Sequence, residues 1–159
     1  MSDAATFALR PREPRWTHVA LRVRDIEASI AWYTEFTPLE VLARNQDEFG
    51  FGVWLAQPDS PDKPFVLVLA QFLEATDPFA GHPQEILQPF AHLGIELPTR
   101  AELDAMAARG EAAGFLAMPP RQMPPPVGYV CMLSDPDGNR VEYSFDQGVY
   151  AAAQEKWGG

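Results

Sequence analysis

The sequence predicts an α+β chain built from two tandem βαβββ modules. Three observations predict it. Strand-like and helix-like segments follow one another in the same order twice, a six-residue pattern recurs 74 positions later, and both copies of that pattern open a strand–helix unit. At 159 residues the chain accommodates one ordinary domain, or two small units sharing a core.

Residues 1–14 read as a flexible leader ending in Pro11 and Pro14. Residues 16–24 alternate with period two, as a half-buried strand does. Asp25 is placed to cap a helix over 26–36, where Ile26, Ile30 and Tyr33 share a face and Pro38 stops the run. Strands are expected at 39–44, 51–56 and 65–72, separated first by Gly50 and Gly52, then by Pro58, Pro61 and Pro64. The first module thus covers 15–73, and a connector with Pro78, Gly81 and Pro83 occupies 74–88. The second module, 89–146, repeats the order. It has a strand at 90–97, a helix at 101–113 after Thr99, a short strand at 115–118 before a proline-rich loop, and a hairpin of 129–133 with 140–145. The Asp-Pro-Asp-Gly turn in that hairpin is a strong reversal signal. Residues 147–159 are left as a C-terminal tail.

A hydrophobic content of 47% with 11% aromatics is ample for a packed interior. Acidic residues outnumber basic ones 22 to 12, so the formal net charge of −10 disfavours nucleic acid and anionic membranes as partners. Small molecules are the expected partners. Cys131 is the single cysteine and cannot form an intrachain disulfide. No signal-peptide pattern opens the sequence and no apolar run approaches the ~20 residues of a membrane span, so a soluble cytoplasmic protein is expected.

The recurring pattern begins with histidine in both copies: His18-Val-Ala-Leu-Arg-Val and His92-Leu-Gly-Ile-Glu-Leu. A lone histidine on an apolar strand is ordinarily a core residue. Two at matching repeat positions lack a packing rationale, whereas a shared cation supplies one. Glu142 is the third candidate ligand. By alternation alone it faces water with Arg140 and Ser144 while Val141, Tyr143 and Phe145 pack inside; a carboxylate turned inward would instead need a cation. If the modules pair about a pseudo-twofold axis, His18, His92 and Glu142 can converge on one divalent ion, leaving two or three coordination positions open. Fe, Zn, Ni and Mn all accept such ligands.

The opening His18-Val-Ala-Leu-Arg-Val-Arg-Asp25, with Ile30-Ala-Trp-Tyr33, resembles the first module of the vicinal-oxygen-chelate superfamily of glyoxalases, extradiol dioxygenases and bleomycin-resistance proteins. The closing Ser134-Asp-Pro-Asp-Gly-Asn-Arg-Val-Glu142 resembles the superfamily's ending, whose glutamate ligates the metal. The resemblance spans about residues 15–146. It implies a glyoxalase-like fold with a cupped mixed sheet, and a metal-dependent enzyme that chelates oxygens of a small substrate by lyase, isomerase or dioxygenase chemistry. A homodimer, paired through sheet edges, also accords with it. The rival expectation is a metal-free binding protein of the bleomycin-resistance type.

The chain departs from individual branches. Glyoxalase I-like isomerases carry a fourth ligand at the repeat equivalent of Glu142, which here is Val68. A shifted register would make Gln71 a candidate additional ligand. Extradiol dioxygenases place a tyrosine where this chain has Met132, and His82 falls in the connector. Fosfomycin-type transferases add a cation-rich pocket, for which Arg121 is the one candidate. Trp54, Phe72, Arg121 and Met132 are the candidate pocket residues. Tyr33 and Tyr129 are weaker candidates as hydrogen-bond donors to substrate.

Overall fold

Strand β1 (His18–Arg22) leads into helix α1 (Ile26–Phe36), then β2 (Glu40–Gln46), β3 (Gly50–Ala56) and β4 (Val66–Phe72). The order recurs as β5 (Leu93–Glu96), α2 (Arg100–Ala112), β6 (Leu116–Gln122), β7 (Tyr129–Ser134) and β8 (Arg140–Phe145). A third helix, α3 (Val149–Trp157), lies where the sequence predicts only a tail. The computed structural model describes residue 11, residues 13–58 and residues 64–158. Most of the expected leader, 1–14, therefore lies outside the described residues.

The strands form two four-stranded mixed sheets, ordered β1-β4-β3-β2 and β5-β8-β7-β6. The duplication holds in register across the two parallel ladders. In the first sheet Ala20 pairs with Val68 across the parallel β1–β4 ladder, and in the second Gly94 pairs with Glu142 across β5–β8. Both modules keep the same strand-to-strand separation, so Val68 occupies in the first module the place of Glu142 in the second.

Local chemistry accounts for the helices. The Asp25 carboxylate accepts a hydrogen bond from the Ala28 N–H at 3.0 Å, and Thr99 accepts one from the Glu102 N–H at 3.2 Å. Each cap satisfies a donor that the first helical turn leaves free. Helix α1 buries Ile26, Ile30, Trp32, Tyr33 and Phe36, and α2 buries Leu103 and Ala107. The inward faces of both sheets join these helices in one core. Leu21, Leu67 and Leu69 come from the first sheet, and Cys131, Leu133, Val141 and Tyr143 from the second.

Two expected boundaries move by three residues or more. The strand predicted at 90–97 begins at Leu93, because Phe90 is 86% exposed and outside the core. The strand predicted at 115–118 continues to Gln122, since β6 pairs with β7 through Arg121 and Gln122 across two register shifts. No helix among the described residues is long and apolar enough to cross a membrane.

Candidate functional site

The turn before β8 is held by its own side chains. Asp135, 3% exposed, accepts hydrogen bonds from the N–H groups of Asp137 (2.9 Å) and Asn139 (2.8 Å) and from the Asn139 amide (2.8 Å). The Tyr33 hydroxyl, from the other module, donates to Asp135 at 2.9 Å. Asp137 accepts from the Arg24 N–H (3.1 Å) and the Gln84 amide (2.9 Å), and Asn139 accepts from the Leu87 N–H (2.9 Å). The Asp-Pro-Asp-Gly-Asn segment is thus a buried clamp joining the turn, the connector and the first module. It fixes the start of the strand that carries Glu142.

Alternation places Glu142 on the same face as Arg140 and Ser144, opposite Val141 and Tyr143, as the sequence predicts. That face is not wet at this position: Glu142 is only 6% exposed. Its Oε1 accepts a hydrogen bond from the Gln147 side chain at 2.8 Å, and its Oε2 stands 3.8 Å from Nε2 of His92. His92 Nδ1 is 2.5 Å from the Phe90 carbonyl oxygen. A carbonyl only accepts, so Nδ1 carries a proton, and in the neutral imidazole the Nε2 lone pair faces the Glu142 side. Two donors that each bind one ion at about 2.1 Å can stand up to about 4 Å apart. The imidazole and carboxylate therefore fit a shared divalent ion.

His18 does not join them. Among the described residues no group of three or more histidine, cysteine, aspartate or glutamate side chains is placed to hold a metal ion. The reason is the shared core. Val19 and Leu21 face that core from β1, as Leu93 and Val141 do from β5 and β8. His18 and Glu142 lie on the opposite faces of their sheets, so the two faces look away from each other within one chain. Within one chain the described residues thus pair His92 with Glu142 and leave His18 outside that pair.

The other candidates divide. Met132 lies directly opposite Glu142 on β7, and Trp54 lies directly opposite Val68 on β3. These two thus flank equivalent positions, and Trp54 is 49% exposed. Arg121 pairs with Val130 on the face that Met132 shares. Phe72 lies six residues beyond Val66, the partner of His18, about 20 Å along the strand. It packs against Phe79 with the Arg22 guanidinium above its ring. Gln71 is turned to the helix side, where its Oε1 accepts from the Ile26 N–H at 2.8 Å. The Tyr129 hydroxyl donates to Asp104 at 2.7 Å, an interaction that raises its pKa. Burial pushes the Cys131 thiol up to about 12, so it stays protonated at neutral pH. A crevice of ≈ 830 Å³ lies between the modules, lined by His92 with Val19, Phe36, Leu67, Met106 and Tyr143 among others; none of the four pocket candidates reaches it.

Sequence reasoning gave no role to Gln147 or Glu96. The Gln147 backbone N–H donates to Glu96 Oε1 at 3.1 Å while its side chain holds Glu142. Gly148 directly after Gln147 was the available signal for a chain reversal at this point.

Comparison with known proteins bears on the whole architecture. The family model described as Glyoxalase/Bleomycin resistance protein/Dioxygenase superfamily matches residues 15–143. An uncharacterized protein of Pseudomonas aeruginosa is 38% identical over 135 residues, covering 84% of this chain and 90% of that protein. The trypanothione-dependent glyoxalase I of Leishmania major superposes with a TM-score of 0.65 at 20% identity, covering 91% of this chain and 95% of that one. A mutant of the fosfomycin resistance protein FosX of Listeria monocytogenes, in complex with Mn(II) and 1S,2S-dihydroxypropylphosphonic acid, superposes with a TM-score of 0.61 at 17% identity. It covers 83% of this chain and 92% of that one. Identities this low carry the fold and not the chemistry. The duplicated registers, the buried turn before Glu142 and the family match together place this chain in the Glyoxalase/Bleomycin resistance protein/Dioxygenase superfamily.

Proposed function

We propose that the protein is a metal-dependent enzyme of this superfamily, acting as a homodimer on a small molecule that presents neighbouring oxygens. Each metal would be held by His92 and Glu142 of one copy and His18 of the other. The observation that carries the reading is the buried Glu142 carboxylate, with the His92 imidazole 3.8 Å away and no lysine or arginine among the described residues bonded to it. A buried carboxylate is costly unless a positive charge compensates it, and a divalent ion does so.

The dimer follows from where the third ligand sits. His18 repeats His92 in the other module, on a sheet face that looks out of the chain. A twofold axis would lay the first module of each copy over the second module of the other and build two equivalent sites. It would also cover half-exposed Trp54 and bring it to the Met132 side of the site.

The bound ion would act as a Lewis acid toward substrate oxygens, in lyase, isomerase or dioxygenase chemistry. Fe, Zn, Ni and Mn all suit two imidazoles and a carboxylate. Of the chain's own groups, His92 offers Nε2 because Phe90 holds its other nitrogen. Glu142 stands beside that imidazole through Oε2, and Met132 lies directly opposite it on the neighbouring strand. A cytoplasmic setting accords with the single buried thiol.

The test is metal content combined with subunit complementation. Wild type should bind one transition-metal ion per chain, and His18→Ala and Glu142→Ala should each lose it. After random reassortment of the two variants, half the dimers are mixed and each regains one intact site. Metal content should then recover to roughly a quarter of wild type. Absence of metal from the wild type would favour the metal-free binding protein. Metal in the wild type without recovery on mixing would refute the composite site.

A further inference from the structure

We infer that Gln147 is a positioning residue that decides which oxygen of Glu142 is offered to the metal. The inference rests on the metal reading above and adds to it a residue outside the expected ligand set. The Gln147 side-chain amide donates to Glu142 Oε1 at 2.8 Å, and it is the free Oε2 that stands 3.8 Å from His92 Nε2. The amide thereby splits a symmetric carboxylate into a held oxygen and an available one. A neutral donor suits this task, because a lysine or arginine in its place would supply the very charge the metal is to bring.

The backbone is shaped to deliver that amide. Asp146 adopts φ 61° and Gly148 φ 76°, so left-handed residues flank Gln147 on both sides. They reverse the chain between β8 and α3 and return the Gln147 side chain to the strand it has just left. The arrangement is tied from the other side by Glu96, whose Oε1 accepts the Gln147 N–H at 3.1 Å. The Glu96 Oε2 is buried without a hydrogen-bond partner, which leaves the Gln147 N–H as the hydrogen bond described for that carboxylate.

The experiment measures Co(II) affinity and the visible absorption of bound Co(II) in wild type, Gln147→Ala, Gln147→Met and Glu142→Gln. Methionine keeps the volume and removes the donor, so it separates hydrogen bonding from packing and guards against misfolding of the alanine variant. Gln147→Met should weaken Co(II) binding about 10- to 100-fold. It should also change the absorption envelope, because Glu142 can then engage through both oxygens, while the urea midpoint of the metal-free protein stays near wild type. If Gln147→Met keeps both the affinity and the spectrum while Glu142→Gln loses Co(II), the metal reading stands and the positioning role is overturned. If wild type binds no Co(II), the metal reading fails and takes this inference with it.

Discussion

Removing the hydroxyl of Tyr33 tests the bond that joins the first module to the turn ahead of Glu142. Tyr33 is 1% exposed, and its hydroxyl donates at 2.9 Å to Asp135, 102 positions away in the chain. Tyr33→Phe preserves the ring and its edge-on contact with Trp32, so no cavity larger than one oxygen is created. A hydrogen bond to a charged acceptor contributes about 1.5–3 kcal/mol. Asp135 Oδ2 would still accept from the Asn139 amide at 2.8 Å, so the carboxylate is not orphaned and the loss belongs near the lower bound. The expected cost is about 2 kcal/mol, or roughly 4–8 °C in Tm for a domain of this size. Urea unfolding should show a lower midpoint at an unchanged slope. A double-mutant cycle with Asp135→Ala should return most of the loss as coupling energy. A cost below about 0.5 kcal/mol, or negligible coupling, would refute the view that this pair clamps the modules together.

Gly110→Ala in α2 should destabilise the protein despite alanine's helix preference. The added carbon would stand 2.7 Å from the Leu133 side chain, which is fully buried and cannot swing aside. Overpacking of about 1–3 kcal/mol outweighs a propensity gain of about 1 kcal/mol, and a urea midpoint at or above wild type would contradict this. Stability should also fall on the alkaline side. Burial pushes the Cys131 thiol from an ordinary value of 9.0 up to about 12, and raises Tyr33 and Tyr143 as well. Groups with raised folded pKa values give their full stabilisation below the unfolded values and lose it as pH rises through that window. The urea midpoint should therefore decline from about pH 9 toward 12. Cys131→Ala should flatten the first part of the decline, and an unchanged profile would argue against this role for the thiol.

Periodicity and turn chemistry made most of the fold legible. The alternation around His18 and Glu142, the caps Asp25 and Thr99, and the Asp-Pro-Asp-Gly reversal each depend on neighbours within a few residues, so they can be read from the chain. The repeat could be read too, and with it the assignment of Val68 to the place of Glu142, because the parallel ladders β1–β4 and β5–β8 keep the same separation along the chain. Helix α3 was not legible, since none of its residues is buried and it lacks a side-chain cap to announce it.

Alternation by itself determined which face each candidate ligand occupies, but not what covers that face. Glu142 shares its face with Arg140 and Ser144, as expected, yet it is buried because a left-handed reversal five residues later brings Gln147 over it. Whether His18 could meet His92 was decided only by tertiary packing. Both sheets turn their apolar faces and helices into one core, and that choice, which minimises exposed apolar surface, points the two histidine-bearing faces in opposite directions.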